Sequence, residues 1–142
     1  MSLDPSPTAL EEADALAHRA LALDPDCYLA IFVRGLVAGT RGQPEIGLVD
    51  LYRAHHLRPG DGNVLVEVGR FSLAAGLRRW QATGDQLVAI EPLSPQSHLL
   101  VGLYHWLHGP RREAARHASR AIELAPEPSM LHIGAAWCMA AC

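Results

Sequence analysis

Residues 95–126 read PQSHLLVGLYHWLHGPRREAARHASRAIELAP, and this stretch decides the fold. Its first half is an apolar run that ends at Gly109-Pro110. Glycine just past a helix can take the left-handed conformation that closes the last carbonyls, and proline is harmless where a new helix begins. The second half places Ala114, Ala118 and Ala121 at helical spacing, where a small side chain lets two backbones come close. Pro126 then stops it. The pattern predicts helix, glycine turn, helix, proline stop.

The same pattern recurs along the chain, and a recurrence of this kind governs the fold more than any local propensity. Pro25 closes ALALDP, Pro59 closes AHHLRP, Pro92 closes VAIEP and Pro126 closes AIELAP, at intervals of 34, 33 and 34 residues. Each interval holds a glycine pair seven apart: Gly35 and Gly42, Gly69 and Gly76, Gly102 and Gly109. Between Tyr28 and Arg41, Ile31, Phe32, Val33, Leu36 and Val37 predict a helix buried on more than one side, with Gly42 as its turn and Pro44 opening the next helix.

On these residues the chain resembles an array of tetratricopeptide repeats, whose unit is a 34-residue antiparallel helix pair. The third unit is the closest match, with Gly102, Gly109, Ala114, Ala121 and Pro126 in place. Glu12, Ala13, Ala20 and Pro25 match a second helix at the start of the chain, where Thr8 and Glu11 read as a capping box. The resemblance implies an all-α, right-handed helix-hairpin solenoid of about three repeats with half repeats at the ends. As one domain over 1–142 it divides into a second helix at 8–25, repeats at 28–59, 62–92 and 95–126, and a terminal first helix at 129–142. The fit is uneven: Arg34 stands where leucine is usual and Gly47 where alanine is usual. The middle unit carries Gly84-Asp85 inside LRRWQATGDQLVAIE, where glycine costs about 1 kcal/mol relative to alanine and predicts a kink or break. If Arg34 is buried it needs a carboxylate, with Asp50 and Glu45 as local partners.

Composition narrows the chemistry. The 142 residues, 49% of them hydrophobic, suffice for a real core without disulfides or metal. Twelve basic residues, every one arginine, against 15 acidic ones give −3, too weak a field to grip a nucleic acid or an anionic membrane. Arginine without lysine, with heavy use of alanine, glycine and proline, reads as a GC-rich bacterial source. MSLDPSPT lacks the regions of a secretory signal, and no apolar run is long enough to span a bilayer, so the expected location is cytoplasmic. Cys27, Cys138 and Cys142 have no metal-finger or disulfide spacing and are expected reduced.

No nucleophile elbow is present, and a phosphate-binding GxxxxGK[ST] is impossible without lysine; Gly60-Asp61-Gly62 is a turn between units. The reading is therefore not an enzyme, with no cofactor. His98, His105 and His108 share one predicted helix but lack a matched fourth ligand, so they read as packing or surface histidines with no metal, as do His55 and His56. Arg112, Arg116 and Arg120 form a stripe that Glu113 and Glu123 interrupt, which reads as a solvated face.

What the resemblance implies about function is a non-catalytic interaction module whose first helices line a concave groove for a protein or peptide. Helix phase assigns Leu29, Phe32, Val33 and Leu36 to that groove, then Asn63, Val66, Glu67, Arg70 and Leu73, then Gln96, Leu99, Leu103 and Trp106. The lining is largely apolar and suits an amphipathic helix or hydrophobic peptide, with Phe32 and Trp106 as anchors and Arg70 orienting an acidic group. Without lysine, a clamp for a chaperone-tail carboxylate is disfavoured. ALALDPDCYLA and IEPLSPQSH resemble repeats appended to bacterial multidomain signalling and regulatory proteins. The alternative is self-association, as a homodimer, through a terminal helix exposing Ile133, Trp137 and Met139, since solenoid ends need covering.

Overall fold

The computed structural model describes residues 6–78, 80–125, 134–136 and 139–140. Up to Leu124 the described residues form seven α-helices, and the chain divides into two compact units, Met1–Ala75 and Gly76–Cys142. The first unit holds α1 (Pro7–Leu23), α2 (Tyr28–Thr40), α3 (Pro44–Leu57) and α4 (Gly62–Ala74); the second holds α5 (Gln81–Ile90), α6 (Pro95–His108) and α7 (Arg111–Leu124). Consecutive helices pack on each other within each unit, and α2 also touches α4. The helices α1, α3 and α5 each stop two residues before Pro25, Pro59 and Pro92, because the residue preceding a proline is pushed out of the α region.

In the first unit Gly42 has φ +79° and closes α2, and Pro44 starts α3, as the sequence predicts. Ile31, Leu51, Ala54, Val64, Leu65 and Val68 are fully buried and make the core of this unit. The α2 and α3 backbones meet where a Cβ on Gly47 would stand 2.6 Å from the Gly35 carbonyl oxygen, so glycine replaces the usual alanine for want of space. Beside this contact the guanidinium of Arg34 donates through Nε and Nη2 to the two oxygens of Asp50, each at 2.7 Å. That bidentate pair answers the departure at position 34: arginine stands for leucine because Asp50 faces it across the hairpin. The next repeat is tied on by Tyr28, whose hydroxyl donates to Asp61 at 2.5 Å while Arg58 lies 4.2 Å over its ring. Asp61 also caps α4 by accepting from the Asn63 N–H.

In the second unit Ala114, Ala118 and Ala121 are fully buried under α6, and a Cβ on Gly102 would stand 3.4 Å from the Ala114 oxygen and the Ala118 nitrogen. Trp80, Leu87, Val101 and Tyr104 complete this core, with Tyr104 donating its hydroxyl to the Arg78 carbonyl at 2.7 Å.

Three local expectations are corrected. The cap of α1 is Ser6, whose side chain accepts from the Ala9 N–H with Pro7 in the first turn; Thr8 lies inside the helix. Gly109 has φ −129°, an extended backbone, and glycine is needed there because a Cβ would crowd His105 Nδ1. The helix α5 runs unbroken through Gly84-Asp85; what it loses is its first turn, so that Trp80 can lay its ring where a Gly84 Cβ would be 2.8 Å away.

Replacing Gly47 by alanine should therefore lower unfolding free energy by about 1–3 kcal/mol, overpacking outweighing the gain in helix propensity. Gly60→Ala, with no atom within 4 Å of the new carbon, should stay within about 0.5 kcal/mol of the parent in the same urea titration.

Candidate functional site

In the first unit the predicted groove residues lie on α2 and α4. Phe32, Val33, Leu36, Val66, Glu67 and Leu73 are half-buried, while Leu29, Asn63 and Arg70 are exposed. Phe32 stacks on Tyr28 with ring centroids 6.3 Å apart. Arg70 is already engaged: its guanidinium donates to Glu67 and lies 4.6 Å over the Phe71 ring. An acidic ligand at Arg70 thus competes with a neighbouring carboxylate, which a helix i, i+3 pair of this kind allows because exposed pairs are worth little.

Leu29 and Val33 point elsewhere. With Ala13, Leu16, Ala17 and Ala20 of α1 they line an open apolar depression of about 330 Å³ between α1 and α2. Leu16 and Leu29 are 62% and 64% exposed, a large apolar area for two neighbouring side chains to leave in water.

In the second unit Gln96 is exposed, and Leu99, Leu103 and Trp106 pack, half-buried, against Ala118 and Ala135 together with Ile122. Of the residues expected at a self-association end, Met139 is described and 37% exposed; Ile133 and Trp137 lie outside the described residues.

The helix pair α6–α7 holds a histidine cluster that periodicity only half revealed. His98 and His105 do not pair with each other or with His108 but each meets His117 of α7, with ring centroids 5.2 Å and 5.9 Å apart, and all three are buried. His98 Nε2 lies 3.1 Å from the Pro92 carbonyl oxygen, which only accepts, so that nitrogen carries the hydrogen. His98 Nδ1 then accepts from His117 Nδ1 at 3.0 Å, and His117 Nε2 accepts from the Arg116 guanidinium at 3.1 Å. Both rings are neutral in this arrangement. Burial, followed by the charge of Arg116, pulls the His117 imidazole down to about 4. Its nitrogens are committed to the relay, and among the described residues no three His, Cys, Asp or Glu side chains converge as metal ligands. The signal available for His117 was its place beside Ala118 on the buried face of α7.

No family model matches the chain, and no curated protein matches it. Solved structures do. A MamA RS-1 ArsTM double mutant superposes with TM-score 0.74 at 19% identity, covering 81% of this chain and 65% of that one. YrrB, described as a TPR protein with an unusual peptide-binding site, gives 0.76 at 18% identity over 95% of this chain and 70% of that one. TTC0263, a thermophilic TPR protein in Thermus thermophilus, gives 0.74 at 20% identity over 94% and 73%. The chain has the tetratricopeptide-repeat fold. Within it, α2 packs most extensively on α3, and α6 on α7. No described helix is long and apolar enough to cross a membrane.

The neutral histidine pair makes the tetratricopeptide hairpin α6–α7 acid-sensitive. An unfolded chain takes up a proton at His117 near pH 6.5, whereas the folded one resists until about pH 4, so stability is fully present above 6.5 and declines as pH falls through that window. Melting temperature measured from pH 8 to pH 4.5 should fall below 6.5, and His117→Leu should flatten that fall.

Proposed function

We propose that the chain is a non-catalytic protein-interaction module that takes a hydrophobic peptide or an amphipathic helix along the first helices of its hairpins. The observation that carries this reading is that Phe32 and Leu36 of α2 and Val66 and Leu73 of α4 stay half-buried on two helices that touch, with Arg70 of α4 exposed. Aromatic and aliphatic anchors supply affinity, and a cation at the edge fixes orientation. The fold shared with YrrB, a protein described as having a peptide-binding site, supports a partner of the peptide class. In the second unit Leu99, Leu103 and Trp106 would serve a partner only through the parts of their side chains not packed on Ala118 and Ala135. The parent would then be a larger bacterial signalling or regulatory protein whose catalysis, if any, lies in other domains. Self-association is the second reading, favoured by the open depression between α1 and α2.

Peptides selected from a displayed random library against the purified chain should be apolar with one acidic residue. In calorimetric titrations Phe32→Ala and Arg70→Ala should each weaken the selected peptide by about tenfold with melting temperature unchanged. Selection of no peptide, or equal binding by both variants, defeats the reading.

A further inference from the structure

We propose that the depression between α1 and α2 is the seat for residues 129–142 of a second copy of this chain, so that copies join head to tail with the repeat continued across each junction. The inference rests neither on Phe32, Leu36, Val66 and Leu73 nor on their ligand.

Pro25 and Pro126 are three repeat intervals apart, so Ala13, Leu16, Ala17 and Ala20 of α1 occupy the places of Ala114, His117, Ala118 and Ala121 of α7. In α7 all four places are buried beneath a first helix, α6. In α1 only Ala17 is buried; Ala13 and Ala20 are half-buried and Leu16 is 62% exposed, and the four line an open apolar depression. The same small-residue seat thus occurs twice, once filled and once open, and the filled one specifies the shape of what fits: a first helix with a small residue at its centre.

The stretch 129–142, SMLHIGAAWCMAAC, carries the residues that match this requirement. One interval after α6, Ala136 stands at the place of Gly102 and Met139 at the place of His105. Residues 134–136 and 139–140 are helical. Ala135 is buried against Ala118 of its own copy, with Leu99 and Leu103 around it. Ala136, Met139 and Ala140 are exposed, and the Ser119 hydroxyl, donating to the Met139 sulfur at 3.4 Å, holds that side chain in place from its own copy. These three are the places that in α6 turn toward α7, where Gly102 meets Ala114 and Ala118 and the His105 ring lies 5.9 Å from that of His117.

The two free faces match in chemistry as well as register. Where α6 and α7 oppose His105 to His117, the junction would oppose Met139 to Leu16, a pair with no proton to lose and no buried donor to satisfy. Ala136 would lie over Ala13 and Ala17 as Gly102 lies over Ala114 and Ala118. The contact joins two different surfaces, so it can repeat from copy to copy, as an open chain or a closed ring.

Sedimentation velocity on the full chain from about 5 to 500 µM tests this. The weight-average mass should rise with concentration above 15.4 kDa. Leu16→Glu spoils the seat and Met139→Glu spoils the occupant; both positions are exposed in the single copy, so both variants should fold, checked by far-ultraviolet circular dichroism. Each variant alone should stay at 15.4 kDa, and an equimolar mixture should form a one-to-one dimer and nothing larger. A parent chain whose mass is constant at 15.4 kDa leaves the seat to some other segment and overturns the proposal. So do a mixture that stays monomeric, a Leu16→Glu variant that dimerises by itself, and assembly that survives both substitutions.

Discussion

Everything in this structure depends on how closely two helices of a hairpin can approach. A Cβ on Gly47 has no room beside the Gly35 carbonyl, and Gly102 lies against the backbone of Ala114 and Ala118 with little to spare. At such separations the backbones themselves make the contact, the apolar side chains on either side interdigitate without voids, and the crossing of the pair is fixed. The glycine turn and the proline stop only set the length of each arm; the small-residue contact decides that the arms fold back on each other.

One place on the second helix, immediately before Ala17, Leu51 and Ala118, shows how that contact tolerates variety. It holds Leu16 in α1, Asp50 in α3 and His117 in α7. Asp50 is satisfied by a bidentate Arg34, and His117 by a relay from Arg116 through His98 to the Pro92 carbonyl. A buried polar group at this place costs more than it contributes unless its partner comes with it, so the polar choices occur as sets: Arg34 with Asp50, and His98, Arg116 with His117. Leu16 needs no partner set. It needs cover.

The frame was legible in the sequence because it rests on residues whose backbone demands are local. Pro25, Pro59 and Pro92 end helices wherever they fall, and Gly42 adopts a positive φ that few other residues accept. Sequence was a poor guide wherever a ring brought in by packing decided the outcome. Gly84 looked like a helix break by propensity, yet it is the space that Trp80 fills, and propensity carries no knowledge of a ring four residues away turned back onto the helix. Gly109 looked like a second left-handed turn and is instead clearance for His105. His117 was invisible because helical phase separates a buried face from an exposed one but does not say which buried rings will meet. Helical phase alone grouped Leu29 and Val33 with Phe32 and Leu36, whereas the first two line the depression beside α1.

A repeat fold derives its stability from each unit and from the interfaces between neighbours, so every helix face is either an interface or a place where one can form. The face of α1 carrying Ala13, Ala17 and Ala20 has the residues of an interface, and nothing in those residues distinguishes it from the face of α7 that α6 covers. Small residues do not make a surface attractive by themselves; they remove the obstacles to close approach, and the surrounding leucines supply the driving force. Leu16 and Leu29 line the same depression as the alanines of α1. Charges placed there would have kept the face soluble and separate, as Arg112, Arg116 and Arg120 do on the exposed side of α7. Their absence from the seat, in a chain that carries twelve arginines elsewhere, is what marks this face as one built to be covered.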